Sequence, residues 1–336
     1  KENSIRRFQL KDKSVLHDHL DGGLRPSTII ELAEQSRIEL PTTDPQLLED
    51  WFFENISSEL NQVFNKFELT ISLMQDEESL ERIAYEAVED LTKDGVSKGE
   101  LRYAPLQHLR GELNPQNVVD SVSRGIKNGM AEFGGNFSSI LCAMRQNNDS
   151  SQVADLAISN YLNGVVGFDL AGPEYGHPPS KHIEACMKIN KSEIGLTIHA
   201  GEAANFSYIE DAVSNCKAQR IGHGWQVIEG CVEIGGLFEP NTKAAEYILE
   251  EKIPLEICIS SNVKSGASDV NKENHPVLKL FKSGFNVTLN PDNRLMASTT
   301  LSKEYELAKQ EFGLSEDEED KIIQNTNNSL FENIGY

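Results

Sequence analysis

SVLHDH, residues 14–19, reads as a short apolar strand that ends on two histidines two positions apart. Side chains alternate across a strand, so His17 and His19 project to the same face. Seven further stretches of this kind follow: GELRYAP (99–105), SSILCAM (138–144), VVGFDLAG (165–172), GLTIHAGE (195–202), QRIGHG (219–224), PLEICISSN (254–262) and NVTLNPDN (286–293). Helix-like segments lie between them, among them 26–36, 80–94, 115–133, 181–191, 209–216, 243–252 and 275–282. Pro26 and Pro115 stand where helices commonly start. Strands that alternate with helices form a parallel sheet, and eight such units close into a barrel. An open doubly wound sheet is the competing architecture, but no G-x-G-x-x-G turn follows the first strand. The expected fold is therefore an α/β (β/α)8 TIM barrel.

Two regions interrupt the alternation. Residues 37–79 form a long insertion after strand one, and the aromatic-rich WFFENISSELNQVFNKFELTISLM within it reads as helical. On a barrel such an insertion sits near the C-terminal face, where it is expected to act as a lid. From Leu301 the chain reads as two acidic C-terminal helices. No repeat or low-complexity linker divides the 336 residues, so one domain, 1–336, is expected.

Composition narrows the partners. The formal net charge of −22 opposes binding to nucleic acid or to an anionic membrane surface, both of which need clustered Lys and Arg. No stretch approaches the roughly 20 apolar residues of a membrane span. The segment KENSIRRFQLKDK lacks the apolar run of a signal peptide, and the five scattered cysteines form no C-x-x-C pair. A cytoplasmic protein with reduced cysteines is expected, and any metal must be held without a C-x-x-C pair.

The strand ends carry the chemistry. His17 and His19, Asp169, His199 with Glu202, His223, Ser260 with Ser261 and Asn262, and Asp292 with Asn293 all fall at the C-terminal ends of predicted strands, where barrel active sites are built. A lone histidine there is more often structural; four with neighbouring carboxylates point to a site. Strand eight closes against strand one, so Asp292 belongs beside His17 and His19. Three imidazoles (His17, His19, His199) and the Asp292 carboxylate suit zinc and leave a position for water. Iron, nickel or cobalt would suit the same donors. Asp292 and His223 are placed to accept or share that water's proton. Glu202 could protonate a ring nitrogen beside the attacked carbon, or could merely begin a helix as first-turn acids do.

These residues match a pattern. LHDHLDGGLRP (16–26), LRYAPLQH (101–108), GFDLAGPE (167–174), TIHAGEA (197–203), RIGHG (220–224), SSNV (260–263) and NPDNRLM (290–296) resemble, in this order, the signature segments of adenosine deaminases, with the DNRLM pattern similar to an actinobacterial-type branch. H-x-H alone would fit the wider metal-dependent hydrolase superfamily, whereas HAGE and LAGPE favour this family. The resemblance implies a metal-dependent deaminase barrel that hydrolyses adenosine, and 2′-deoxyadenosine, to inosine and ammonia in purine salvage. It implies one Zn2+ per chain on His17, His19, His199 and Asp292. It implies Glu202 as proton donor to purine N1 and His223 as the group that orients the attacking hydroxide. For the substrate it implies contacts from His19, from Asp21 to the ribose 5′-hydroxyl, from the Gly172 backbone to N3, and from Asn293 to N7. Many members carry a second Asp where this chain has Asn293, whose amide donates without needing a protonated acid. Pro291 is a further departure.

Two other readings compete. A related enzyme could deaminate adenine or an N6-modified purine nucleoside or nucleotide, a nucleotide needing basic contacts such as Arg25 and Arg294. Asp21 opposes a phosphate, since a carboxylate repels an anion. A catalytically inactive zinc-binding relative is the other, because fold does not ensure activity.

Overall fold

The computed structural model describes residues 12–54, 60–265 and 274–331. Eight parallel strands form a nearly closed barrel: β1 (Lys13–His19), β2 (Val96–Tyr103), β3 (Asn136–Met144), β4 (Val165–Ala171), β5 (Gly195–Ala200) and β6 (Arg220–His223) come first. An antiparallel hairpin of β7 (Cys231–Ile234) and β8 (Leu237–Pro240) then leaves the barrel, which β9 (Leu255–Ile257) and β10 (Val287–Leu289) complete. The ladder runs β1-β2-β3-β4-β5-β6-β9-β10. The expected barrel is thus the observed one.

The seam between β10 and β1 is closed by very few residues. Asp292 pairs with Asp18 as an isolated parallel bridge. The His19 N–H donates to the Asp292 carbonyl at 2.7 Å, and the Asp292 N–H to the His17 carbonyl at 3.0 Å. Below them the Asn290 side-chain oxygen accepts from the backbone N–H groups of both Leu16 (2.8 Å) and His17 (3.1 Å). A side-chain amide here does the work of a ladder hydrogen bond that the short β10 does not supply.

Helix starts follow the sequence. Pro26 and Pro115 occupy first-turn positions of Pro26–Ser36 and Pro115–Phe133, the latter opened by an Asn114–Asn117 capping box. The insertion is helical, as expected, with Pro45–Glu54 and Leu60–Ser72; residues 55–59 of the predicted segment lie outside the described residues. Leu48 and Phe52 anchor it in the core. The acidic C-terminal pair is Leu301–Phe312 and Glu316–Asn328. Beyond it, the Phe331 ring stoppers the barrel floor, filling the space a side chain at Gly167 or Gly195 would need and lying 3.7 Å beneath the Arg220 guanidinium.

Two expectations need correction. The predicted seventh barrel strand is β9 and ends at Ile257, and the predicted strand end Ser260–Asn262 is instead in the first turn of the helix Ile259–Ser265. The hairpin β7–β8 went unforeseen, although CVEIGGLFEP joins two alternating runs through Gly-Gly.

Candidate active site

The predicted polar residues converge at the C-terminal mouth of the barrel. His17 and His19 share one face of β1, with ring centroids 5.2 Å apart. Donor atoms of His17, His199, His223 and Asp292 all lie within 4.8 Å of one another. His19 Nε2 joins them at 3.2 Å from His199 Nε2 and 3.3 Å from Asp292 Oδ1. His17 Nε2 stands 3.1 Å from Asp292 Oδ1. His223 Nε2 is 3.5 Å from Glu202 Oε2 and 4.0 Å from Asp292 Oδ2. Two of these residues, His223 and Asp292, hold the left-handed φ of 61° that non-glycine residues rarely adopt. Such conformations cost energy and persist where the surroundings fix them, commonly at sites.

The cluster fits a cation. His17 Nε2, His223 Nε2 and Asp292 Oδ1 are buried and find no hydrogen-bond partner within the protein. Buried polar atoms are almost always satisfied, so three orphans aimed at one point mark the place of something they bind. The supporting residues agree. His17 Nδ1 lies 2.9 Å from Glu256 Oε2, and His199 Nδ1 2.9 Å from Asp169 Oδ2. A carboxylate on one ring nitrogen fixes the proton there and bares the other nitrogen for a metal.

Beneath the mouth runs a buried ionic layer. Arg102 donates to Asp169 at 3.0 Å and to Glu256 at 2.9 Å, so one guanidinium spans the carboxylates that orient both histidines. Arg220 Nε adds a second contact to Glu256 at 2.7 Å. Burial and the nearby Arg102 lower the pKa of His17, which favours the neutral ring a metal requires. Burial disfavours an ionised Asp292, but the adjacent His17 and the other histidines around it outweigh that and hold its carboxyl well below the usual range.

Glu202 lies in the turn between β5 and the helix Phe206–Ser214, whose cap is Asn205. It is therefore not a first-turn acid. Burial raises its carboxyl pKa; His223 opposes this, while Asp292 and Glu174 add to it. The turn is clamped by Glu174, which accepts from the N–H groups of Glu202 (3.3 Å), Ala203 (3.0 Å) and Ala204 (2.5 Å).

The remaining predicted contacts rim the site. Asp21 is buried, 3.9 Å from His19 Nδ1, and burial pushes its carboxyl up to about 7. Gly172 has φ 92°, a conformation that strains any other residue, and a Cβ there would also displace the Gln146 amide, 2.5 Å away. Asn293 packs its side chain into the space left open at Gly22. Arg25 and Arg294 are committed to carboxylates: Arg25 reaches Glu89 and Asp90 at 2.6 Å each, and Arg294 reaches Asp18 at 2.8 Å.

The sequence reading missed Glu256, Arg102, Glu174, Asn290 and His275. Glu256, alone among apolar neighbours in PLEIC, and Arg102 in ELRYA were visible signals, because a charge inside a barrel strand must be paired. Ser261, noted in sequence only as a strand-end polar residue, donates to Asp292 Oδ2 at 2.5 Å.

Comparison with known proteins shows the family and the fold. The family described as adenosine deaminase matches residues 12–333. Adenosine deaminase 1 of Streptomyces coelicolor is 40% identical over 339 residues, covering 97% of this chain and 84% of that protein. Among solved structures, an adenine deaminase from Arthrobacter aurescens superposes with a TM-score of 0.83 at 24% identity, covering 95% of this chain and 94% of its own. An amidohydrolase from Burkholderia ambifaria, solved with bound Zn, gives 0.83 at 20% identity, covering 97% and 87%.

Proposed function

Because this chain belongs to the adenosine deaminase family, we propose that the mouth of its barrel is the site at which it hydrolyses adenosine to inosine and ammonia. The observation that carries the assignment is the set of buried, unpartnered atoms His17 Nε2, Asp292 Oδ1 and His223 Nε2, with Glu202 beside them. His17, His19, His199 and Asp292 would hold one zinc ion. When bound, it supplies positive charge that brings the pKa of water towards about 7.

The protein's own groups do the rest. Water adds to C6 of the purine as its proton passes towards Asp292, which His223 Nε2 faces at 4.0 Å. Glu202, whose protonated form burial favours, gives its proton to N1, and C6 becomes tetrahedral. The His223 Nε2 proton stabilises the oxygen that has added. The proton held by Asp292 then passes to N6, the C6–N6 bond breaks and ammonia leaves, and the C6 hydroxyl returns a proton to Glu202 as the carbonyl of inosine forms. His19 and Asp21 face the ribose end, the Gly172 backbone faces N3, and the Asn293 amide donates to N7. 2′-Deoxyadenosine is expected to react as well, since none of these contacts needs the 2′-hydroxyl.

A nucleotide substrate fits less well. Arg25 and Arg294, the two candidates for a phosphate, already hold carboxylates. A role in cytoplasmic purine salvage follows from the nucleoside reading. Among the described residues no helix is long and apolar enough to cross a membrane.

The test is ultraviolet-monitored turnover of adenosine, 2′-deoxyadenosine, adenine and AMP, before and after chelation and zinc restoration. Adenosine turnover that dies with chelation and returns with zinc supports the assignment. Preference for adenine or AMP would move it to a related aminopurine deaminase, and bound zinc without turnover to an inactive relative.

A further inference from the structure

His223 differs from the other histidines of the cluster in what holds its far nitrogen. His17 and His199 turn Nδ1 towards carboxylates, which only accept. His223 turns Nδ1 towards the Asn262 amide nitrogen at 2.9 Å. Asn262 Oδ1 in turn lies 3.2 Å from His275 Nε2, and the Val277 backbone N–H reaches His275 Nδ1 at 3.2 Å.

The polarity of this chain can be read from its far end. A backbone N–H can only donate, so His275 Nδ1 accepts and the neutral ring carries its proton on Nε2. That proton needs an acceptor, so the Asn262 oxygen faces His275 and the amide nitrogen faces His223. An amide N–H again can only donate, so His223 Nδ1 accepts and its proton lies on Nε2, pointing at Glu202 and Asp292. His275 is buried against Trp225 and Phe312, with ring centroids 6.1 and 6.3 Å away, and burial pushes its pKa down to about 3. It therefore stays neutral at working pH and cannot reverse the order.

We propose that Asn262 and His275 are positioning residues that fix the His223 tautomer, making His223 a proton-bearing donor to the reacting oxygen rather than a metal ligand. The backbone amide of Val277 sets the direction through both side chains. The same logic sorts the cluster: a carboxylate behind a histidine bares the inner nitrogen for a cation, and an amide behind it leaves a proton there. The catalytic part rests on the deaminase reading above; the tautomer does not.

The direct test is long-range 1H–15N correlation on zinc-loaded protein labelled with 15N-histidine, with His223 assigned by comparison with His223→Gln. A proton on Nε2 is expected, and a proton on Nδ1 overturns the proposal. Asn262→Asp keeps the shape but can only accept, so it should move the proton to Nδ1. Its kcat should fall by about 100-fold, the scale of losing one such donor, with KM within about threefold and zinc content unchanged. An unmoved proton, or a moved one with wild-type kcat, also overturns it. Should the buried acid prevent folding, His275 supplies the second pair. His275→Gln, which can still donate to Asn262, should stay within about fivefold of wild type, whereas His275→Phe should lose about tenfold in kcat and show both tautomers. Equal activity of the two would overturn the role of His275. Wild-type protein with the Nε2 proton but no turnover of any purine would leave the relay standing and refute the deaminase reading.

Discussion

Asp292 and His17 meet twice: the Asp292 N–H donates to the His17 carbonyl at 3.0 Å, and Asp292 Oδ1 lies 3.1 Å from His17 Nε2. Backbone closure of the barrel and assembly of the site therefore use the same pair of residues through different atoms. The two functions separate by mutation. Asp292→Ala removes a carboxylate and leaves the seam, so zinc content by atomic emission and turnover should both collapse while the melting temperature of the chelated protein changes little. Asn290→Ala should do the reverse. It strips the acceptor from two buried N–H groups, at a cost of about 3 kcal/mol in urea unfolding. Full zinc occupancy in Asp292→Ala would remove that residue from the ligand set.

Glu202→Gln tests the proton donor. The amide keeps the size and the hydrogen bonding of the acid but has no proton to give. Turnover should fall by about 1000-fold with zinc retained, the range general acid catalysis supplies. The pH profile gives a second reading. Burial raises the Glu202 pKa, so the required protonated form persists to higher pH than in an exposed carboxyl. In the wild type kcat/KM should decline as pH climbs through that raised value, and the variant's residual rate should lack this alkaline limb. An unchanged limb would assign it to another group.

Arg102→Met tests the ionic layer. Its guanidinium is buried between Asp169 and Glu256, and removing it leaves both carboxylates without a shared counter-charge. Breaking a buried pair from one side typically costs about 3–5 kcal/mol. Equilibrium urea unfolding should show a loss of that order. Arg124→Ala, which breaks surface pairs with Glu77 and Glu81, should cost under about 1 kcal/mol. Similar losses for the two would mean that the buried layer contributes no more than a surface pair.

What the sequence disclosed follows from range. The barrel was legible because strand and helix periods are local, and the strand-end histidines stood out because polar groups on apolar strands are costly. Relationships across the barrel were not legible. Nothing local in NVTLNPDN says that the Asn290 side chain replaces a ladder bond to Leu16, 274 residues away. Nothing in NHPVL says that His275 faces an amide whose other end meets His223. The misplacement of Ser260–Asn262 had a local cause: ICISSNV is β-branched and apolar enough to read as strand, yet the chain turns helical at Ile259, where Ser261 and Asn262 reach Asp292 and His223. Tertiary contact overrode propensity there.

His108 gives a stability prediction away from the catalytic cluster. It ends the 3₁₀ turn Pro105–His108 after β2, is fully buried, and burial pushes its pKa down to about 4. The sign follows from proton counts. Between pH 6.5 and about 4 the unfolded chain holds a proton on this ring and the folded chain does not, so falling pH favours unfolding. From pH 7 to pH 5 the ring alone should cost about 2 kcal/mol, taking 1.36 kcal/mol per pKa unit. His108→Gln cannot titrate and should be spared that loss. The two proteins compared by urea unfolding at both pH values should therefore differ by about 2 kcal/mol in their pH response, whatever offset the substitution adds at neutrality. Parallel losses would mean that the ring is protonated in the native state, and that its burial is relieved by a partner able to accept that proton.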